Sequence, residues 1–335
     1  MPEKIAVIGG GSWGTTLAAL LTDKGNGVSL WVYEPDLAGR MESSRVNDLY
    51  LPGFTLPGGL DVTSDIARAV DGKEIMLIVT PSHVTRAVVK SLNGKVREDA
   101  LFVSATKGIE NETLMTMDEV LEDVLPKGFH QRFAFISGPS FAKEVMKKLP
   151  TTVSVASRDP RVAARVQSAF NTEYFRVYTN PDVKGVELGG ALKNVIAIAA
   201  GCSDGLGFGH NTRAALITRG LAEIARLGMA MGANPLTFSG LSGMGDLVLT
   251  CTGELSRNRT VGYKLGQGMK LDAILSEMKM VAEGVNTARA AWGLSRKHGV
   301  TMPITEQVYR LLYEGREPKD VVRELMTRDL KSELG

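Results

Sequence analysis

The first 180 residues alternate short apolar runs with segments of helical character. Lys4–Gly9 (Lys-Ile-Ala-Val-Ile-Gly) is a short apolar run that ends in glycine, as a strand buried on both faces does. Similar runs predict strands over Val28–Tyr33, Glu74–Thr80, Ala100–Thr106, Phe133–Ser137, Thr152–Ala156 and Tyr174–Tyr178. Thr15–Lys24 reads as a helix, and helical segments fall between most of the other strands. That alternation predicts an α/β fold with a parallel, doubly wound sheet. From about Asn180 the strand signals stop. Helices are predicted over Thr212–Met231, Ser256–Leu265, Leu271–Met278, Gly284–His298, Thr305–Tyr313 and Pro318–Met326, with Thr327–Gly335 polar and expected to fray. The Asn180-Pro181 turn dipeptide coincides with the change of pattern, so the expected domains are 1–180 and an all-helical 181–335.

One helical run breaks its own pattern. Leu188–Ser203 spans 16 residues with a single charge, Lys193. It is shorter than the roughly 20 residues a membrane span needs and is interrupted by glycines, so it reads as a core helix. Two readings of Lys193 stand at this stage. The stem lies on apolar surface with its head in water, or the ammonium is buried, its pKa lowered, and it moves a proton. Gly189, Gly190 and Ala197, one turn away, are small and are expected to leave open space over the ammonium for a ligand.

Composition narrows the class. A chain of 335 residues with 44% apolar content is globular and long enough for about two domains. With 39 basic and 37 acidic residues and no long basic run, nothing points to nucleic acid or an anionic membrane. Cys202 and Cys251 lack metal spacing, and so few cysteines suit a reducing compartment. The N-terminus lacks a signal-peptide layout, and a soluble, cytoplasmic protein is expected.

The chemistry sits in a few short segments. Gly9-Gly-Gly11-Ser12-Trp13-Gly14 follows a predicted strand and opens a predicted helix, which makes it a dinucleotide fingerprint of the Rossmann type. Gly9 permits the tight turn, Gly11 admits the pyrophosphate to the backbone, and Gly14 lets helix and strand pack closely. Glu34, beside Tyr33 and about 20 residues on, is placed to accept ribose hydroxyls. A carboxylate there favours NAD over NADP, and the alternative is that Glu34 points into solvent. Thr106-Lys107-Gly108 and Gly138-Pro-Ser140-Phe-Ala142 follow strands, where ligands of such sheets bind. In the helical half, Gly205–Arg213 and Ser242–Thr252 are glycine-rich and polar. Ser256-Arg257-Asn258-Arg259 opens a helix with two forked donors, a hydroxyl and an amide, which suits a phosphate. Its alternative is a surface N-cap with solvated arginines, just as Asp246 has the alternative of a turn carboxylate. The four histidines show no metal or triad spacing, so no metal is expected.

Taken together, these segments resemble bacterial-type NAD(P)-dependent glycerol-3-phosphate dehydrogenase over essentially the whole chain. The resemblance rests on Gly9-x-Gly-x-Trp-Gly-Thr, Thr106-Lys-Gly, Gly138-Pro-Ser-Phe-Ala, Gly185-Val-Glu-Leu-Gly-Gly-Ala-Leu-Lys-Asn-Val, Asn211-Thr-Arg-Ala-Ala-Leu-Ile-Thr-Arg-Gly, Gly245-Asp-Leu-x-Leu-Thr-Cys-Thr and Ser256-Arg-Asn-Arg. It implies a Rossmann domain followed by a helical domain, usually dimeric. It also implies hydride exchange between NAD(P)H and dihydroxyacetone phosphate to give sn-glycerol 3-phosphate, the phospholipid precursor. It makes Lys193 the proton donor and acceptor. Lys107, Gly138, Ser140, Asp246, Thr250, Ser256, Arg257 and Asn258 then match substrate positions, with Asp246 orienting Lys193. Gly9, Gly11, Ser12, Trp13, Gly14, Tyr33, Glu34, Lys107, Ala142, Arg257, Val281 and Glu283 match cofactor positions, the last two closing the cleft from the helical half. One departure matters: NADP users usually carry a basic residue where Tyr33 and Glu34 stand. The competing readings are a dehydrogenase of another hydroxyacid and a non-catalytic dinucleotide sensor on the same fold.

Overall fold

The computed structural model describes residues 2–278, 280–330 and 332–333. Lys331, Leu334 and Gly335, in the stretch expected to fray, lie outside them. Eight strands form one sheet: β1 (Lys4–Ile8), β2 (Gly27–Trp31), β3 (Asp61–Thr63), β4 (Ile75–Ile78), β5 (Leu101–Ser104), β6 (Phe133–Ser137), β7 (Thr151–Ala156) and β8 (Phe175–Asn180). Between them run α1 (Ser12–Asp23), α2 (Pro35–Ser44), α3 (Ile66–Val70), α4 (Ser82–Ser91), α5 (Met117–Val124), α6 (Ala142–Met146) and α7 (Pro160–Phe170). The spatial order is β3-β2-β1-β4-β5-β6-β7-β8. Alternate residues feed two cores, with Ile5, Val7 and Leu77 on one face and Ala6, Ile8 and Met76 on the other. This two-sided burial is why the strands read as unbroken apolar runs.

The sheet is not wholly parallel, as the alternation predicted. β6 and β7 pair antiparallel, and β8 follows β7. The connection from β6 to β7 contains only the five-residue α6. β7 is therefore entered from the same end of the sheet at which β6 leaves it. β3 escaped prediction because three residues carry too little pattern.

The helical half comprises α8 (Val183–Gly205), α9 (His210–Ala230), α10 (Asp246–Thr252), α11 (Arg257–Gly266), α12 (Leu271–Ser276), α13 (Glu283–His298), α14 (Pro303–Tyr313) and α15 (Pro318–Met326). Its core is built around α8. Among the described residues α8 alone is long and apolar enough to cross a membrane, and 89% of that window is buried inside the protein. α8 and α11 touch backbone to backbone. A Cβ on Gly201 would lie 2.0 Å from the Arg259 carbonyl oxygen, and one on Gly262 would lie 2.0 Å from that of Ile198. This close approach sets the start of α11 beside the middle of α8.

Gly189 and Gly190 do the same kind of work, which corrects the expectation of open space. A Cβ on Gly189 would meet the Ser242 carbonyl oxygen at 2.5 Å, and one on Gly190 would meet Ser137 Oγ at 2.4 Å. Both are glycines because neighbouring segments press against α8. Ala197 is fully buried in the helical core.

Candidate active site

Five strand ends open toward the helical half. After β1, β2, β4, β5 and β6 stand Gly9, Glu34, Ser82, Lys107 and Gly138. α8 faces them with Lys193, whose side chain is only 7% exposed. Its ammonium donates to Thr250 Oγ1 at 2.7 Å and lies 3.1 Å from Asp246 Oδ1. The Thr250 hydroxyl spends its own proton on the Asp246 carbonyl, at 2.6 Å, so it offers Lys193 a lone pair. The other carboxylate oxygen, Asp246 Oδ2, takes Lys107 Nζ at 2.7 Å. Lys107 also donates to the Gly138 carbonyl at 2.9 Å, which the Ser140 hydroxyl shares at 2.9 Å. One buried carboxylate thus couples two ammoniums, a cluster of net charge +1. Asp246 stands where a π-type turn over Leu241–Gly245 passes into α10.

The charge balance sets the acidity of Lys193. Burial disfavours its ammonium and Lys107 repels it, while Asp246 favours it, and the result lies down at about 8. Two of its protons have protein acceptors, and the third has none among the described residues. A group of this kind gives or takes a proton near neutral pH and has one N–H left for a ligand.

The turn after β1 fits a dinucleotide. Gly9 has φ +126°, and its Cβ would sit 2.6 Å from the Val79 carbonyl oxygen. A Cβ on Gly14 would fall 1.9 Å from the Gly9 carbonyl oxygen, so helix and turn touch there. Gly11 has nothing within 4 Å of its Cβ direction and opens α1 without a side-chain cap. The free N–H groups of Ser12 and Trp13 begin that helix, and Trp13 Nε1 is buried without a partner. An open glycine and an uncapped helix start together form an anion cradle. Glu34 ends the second strand's loop, and Tyr50 donates to its Oε1 at 2.7 Å. Tyr33 is 76% exposed beside it. Ala142 begins α6.

The start of α11 divides its four polar residues among different tasks. Ser256 is the N-cap and accepts from the Arg259 N–H at 3.2 Å. Arg257 is exposed and donates to the Val281 carbonyl at 2.8 Å. Asn258 ties three helices together, donating to Asn194 Oδ1 at 2.8 Å and accepting from the Gly284 N–H at 2.9 Å. Arg259 is not a free phosphate donor, as its composition suggested. It pairs with Asp204 at 2.7 Å, and Arg213 takes the other oxygen at 2.7 Å. That triad also accounts for Arg213 at the end of the polar Gly205–Arg213 segment.

Glu283 opens α13 and reaches across to the sheet half. It accepts from the Ser82 backbone N–H at 3.2 Å and from Ser82 Oγ at 2.8 Å. Pro81 cannot cap α4 with its side chain, so Glu283 does so from the other half of the molecule. Burial raises the Glu283 pKa above the usual carboxylate value, and the Ser82 donors oppose the shift. Ser82 and Tyr50 had no visible signal in the sequence, because each meets its partner only through the fold.

Comparison with known proteins agrees with this geometry. Residues 4–163 match a model described as the N-terminus of NAD-dependent glycerol-3-phosphate dehydrogenase, and residues 182–323 match the corresponding C-terminus. The chain is 61% identical over 335 residues to glycerol-3-phosphate dehydrogenase [NAD(P)+] of Geobacter metallireducens, covering 100% of both chains. It is 60% identical over 333 residues to that of Geobacter sulfurreducens, covering 99% of each. The crystal structure of glycerol-3-phosphate dehydrogenase from Coxiella burnetii superimposes with a TM-score of 0.94 at 40% identity, covering 98% of this chain and 99% of that one. With an N-terminal Rossmann-like sheet, a helical second half and these matches along its whole length, the chain belongs to the NAD(P)-dependent glycerol-3-phosphate dehydrogenase family.

Proposed function

We propose that this chain interconverts dihydroxyacetone phosphate and sn-glycerol 3-phosphate, with Lys193 as the proton donor and acceptor. The observation that carries the reading is the buried Lys193 ammonium, poised near neutral pH, with one N–H unclaimed. Bound NAD(P)H supplies the hydride. Gly9, Gly11, Gly14 and the N–H groups of Ser12 and Trp13 hold its pyrophosphate, Glu34 its ribose, and Tyr33, Ala142, Val281 and Glu283 border it. Lys193 gives its free proton to the alkoxide oxygen that forms at the substrate carbonyl carbon. Asp246 and Thr250 orient the ammonium, and Asp246 keeps it charged enough to donate. Lys107 polarises the carbonyl end from the opposite side of Asp246, with the Gly138–Ser140 loop supporting it. The Arg257 guanidinium and the Ser256 hydroxyl at the start of α11 take the phosphate. Asn258 supports that site chiefly by fixing α11 to α8 and α13.

The Glu34 carboxylate accepts ribose hydroxyls and repels a 2′-phosphate, so NAD is the preferred cofactor. The division at residues 180 and 181, where the sheet ends and α8 begins, separates a cofactor half from a substrate half. The protein works as a cytoplasmic homodimer that feeds phospholipid synthesis. Oxidation of NADH and NADPH by dihydroxyacetone phosphate tests substrate and cofactor together. Rapid NADH oxidation that needs the phosphorylated ketone supports the reading; turnover with an unrelated hydroxyacid, or cofactor binding without turnover, overturns it.

A further inference from the structure

A small cavity of about 10 Å³ lies between the ends of β5 and β6 and the first half of α8. That is close to the room one water needs. Its walls include Ser104, Lys107, Ser137, Glu187 and Gly190. Two of these offer buried polar atoms with no partner, Ser137 Oγ and Glu187 Oε2. Buried polar atoms are nearly always bonded, and a water is the usual partner where a polar space is large enough. Gly190 also lines it, and a methyl there would approach Ser137 Oγ to 2.4 Å and Lys107 Cγ to 3.8 Å, so glycine lets both side chains lie close to α8. The Lys107 stem therefore runs along this cavity on its way to Asp246.

The surroundings of Glu187 disfavour its ionisation. Its Oε1 accepts the Asp118 backbone N–H at 3.0 Å. The Asp118 carboxylate on α5 lies next to it and has already taken Lys184 at 2.9 Å and Arg158 at 3.0 Å. Lys107 is the remaining charged group lining the cavity. Burial and then the Asp118 charge push the Glu187 carboxyl well above the usual range. Burial opposes ionisation of Asp118 as well, but bonding to Glu187 and the Lys184 charge hold that carboxyl down at about 2.

We propose that Glu187 is a positioning residue for Lys107: a neutral acid whose unpartnered Oε2 shares one buried water with Ser137 Oγ, which completes the shelf under the Lys107 stem. This rests on the reading of Lys107 as a substrate-holding group. The water fixes where the Lys107 ammonium sits relative to the Gly138 carbonyl and Asp246, without touching the substrate itself.

The test compares Glu187→Gln with Glu187→Leu in the full-length enzyme. Glutamine keeps a donor and the shape, so the KM for dihydroxyacetone phosphate stays within about twofold of wild type. Leucine keeps the bulk but loses the bond, and that KM rises about fivefold while the KM for NADH is unchanged. Infrared difference spectra show the carbonyl stretch of a protonated carboxyl, and Glu187→Gln removes it. Ser137→Ala, a smaller change, raises the same KM in the same direction and decides the matter if Glu187→Leu does not fold. Absence of the protonated-carboxyl band, or equal damage in the glutamine and leucine variants, overturns the neutral acid. An unchanged substrate KM in both Glu187→Leu and Ser137→Ala overturns the link to Lys107. Lys107→Met separates the two levels: if it leaves the substrate KM unchanged, the underlying role of Lys107 falls, whereas the infrared band reads Glu187 alone.

Discussion

The two ends of the cleft are built on opposite plans. At the Lys193 end the charges are buried and already bonded: Asp246 is 2% exposed and holds both Lys193 and Lys107. At the Arg257 end the guanidinium is exposed and holds one carbonyl, that of Val281. The difference fits what each end is proposed to handle. A proton donor must have its acidity set before the substrate arrives, and only burial with fixed neighbours does that. A phosphate brings its own charge and needs open, forked donors that it can displace from weak partners. On the proposed reading the first end governs turnover, and the second governs affinity.

Substitutions at the two ends break or sharpen that contrast. The largest effect belongs to Lys193→Ala, which lowers kcat on the order of a hundredfold to ten-thousandfold. NADH binding, read by fluorescence titration, stays unchanged because the cofactor cradle is elsewhere. Next comes Asp246→Asn, which removes the charge that supports the Lys193 ammonium and leaves two cations unpaired. Reduction at pH 7.5 slows by roughly tenfold or more, and the pH inflection moves below about 8. Arg257→Ala stands third and acts on affinity. The KM for dihydroxyacetone phosphate rises at least about tenfold, the loss of a bond to a charged group, with kcat within about twofold. A large fall in kcat there would merge the two ends into one machine. The smallest effect is expected at Glu34→Ala, which lowers kcat/KM for NADH about fivefold and leaves NADPH nearly unaffected. A loss shared equally by both cofactors would remove Glu34 as a discriminator.

The same contrast explains what the sequence revealed. The Gly9–Gly14 turn was legible because its demands are local: Gly9 and Gly14 answer contacts within a few residues or beside an adjacent strand, and Gly11 leaves the helix start open. Lys193 was legible as an anomaly, one charge in a long apolar run, but its partners were not. Asp246 lies 139 positions from Lys107, and Glu283 lies 201 from Ser82. Pairings across such distances leave no periodicity. Two readings failed because composition cannot tell a free group from a paired one. Arg259 looked like a phosphate donor until Asp204 was seen to hold it. Gly189 and Gly190 looked like open space, yet they mark where Ser242 and Ser137 press on α8. The reversal of β7 was hidden for a similar reason, since an apolar strand reads the same in either direction.

The pH dependence of kcat/KM in both directions tests Lys193 most directly. Reduction needs the charged ammonium, so its rate constant should fall as pH rises through about 8. Oxidation of sn-glycerol 3-phosphate needs the neutral amine and should rise through the same window. Mirror-image limbs near pH 8 that vanish together in Lys193→Ala are the predicted result. Limbs that persist unmoved in Lys193→Ala would contradict it and assign the proton to another group.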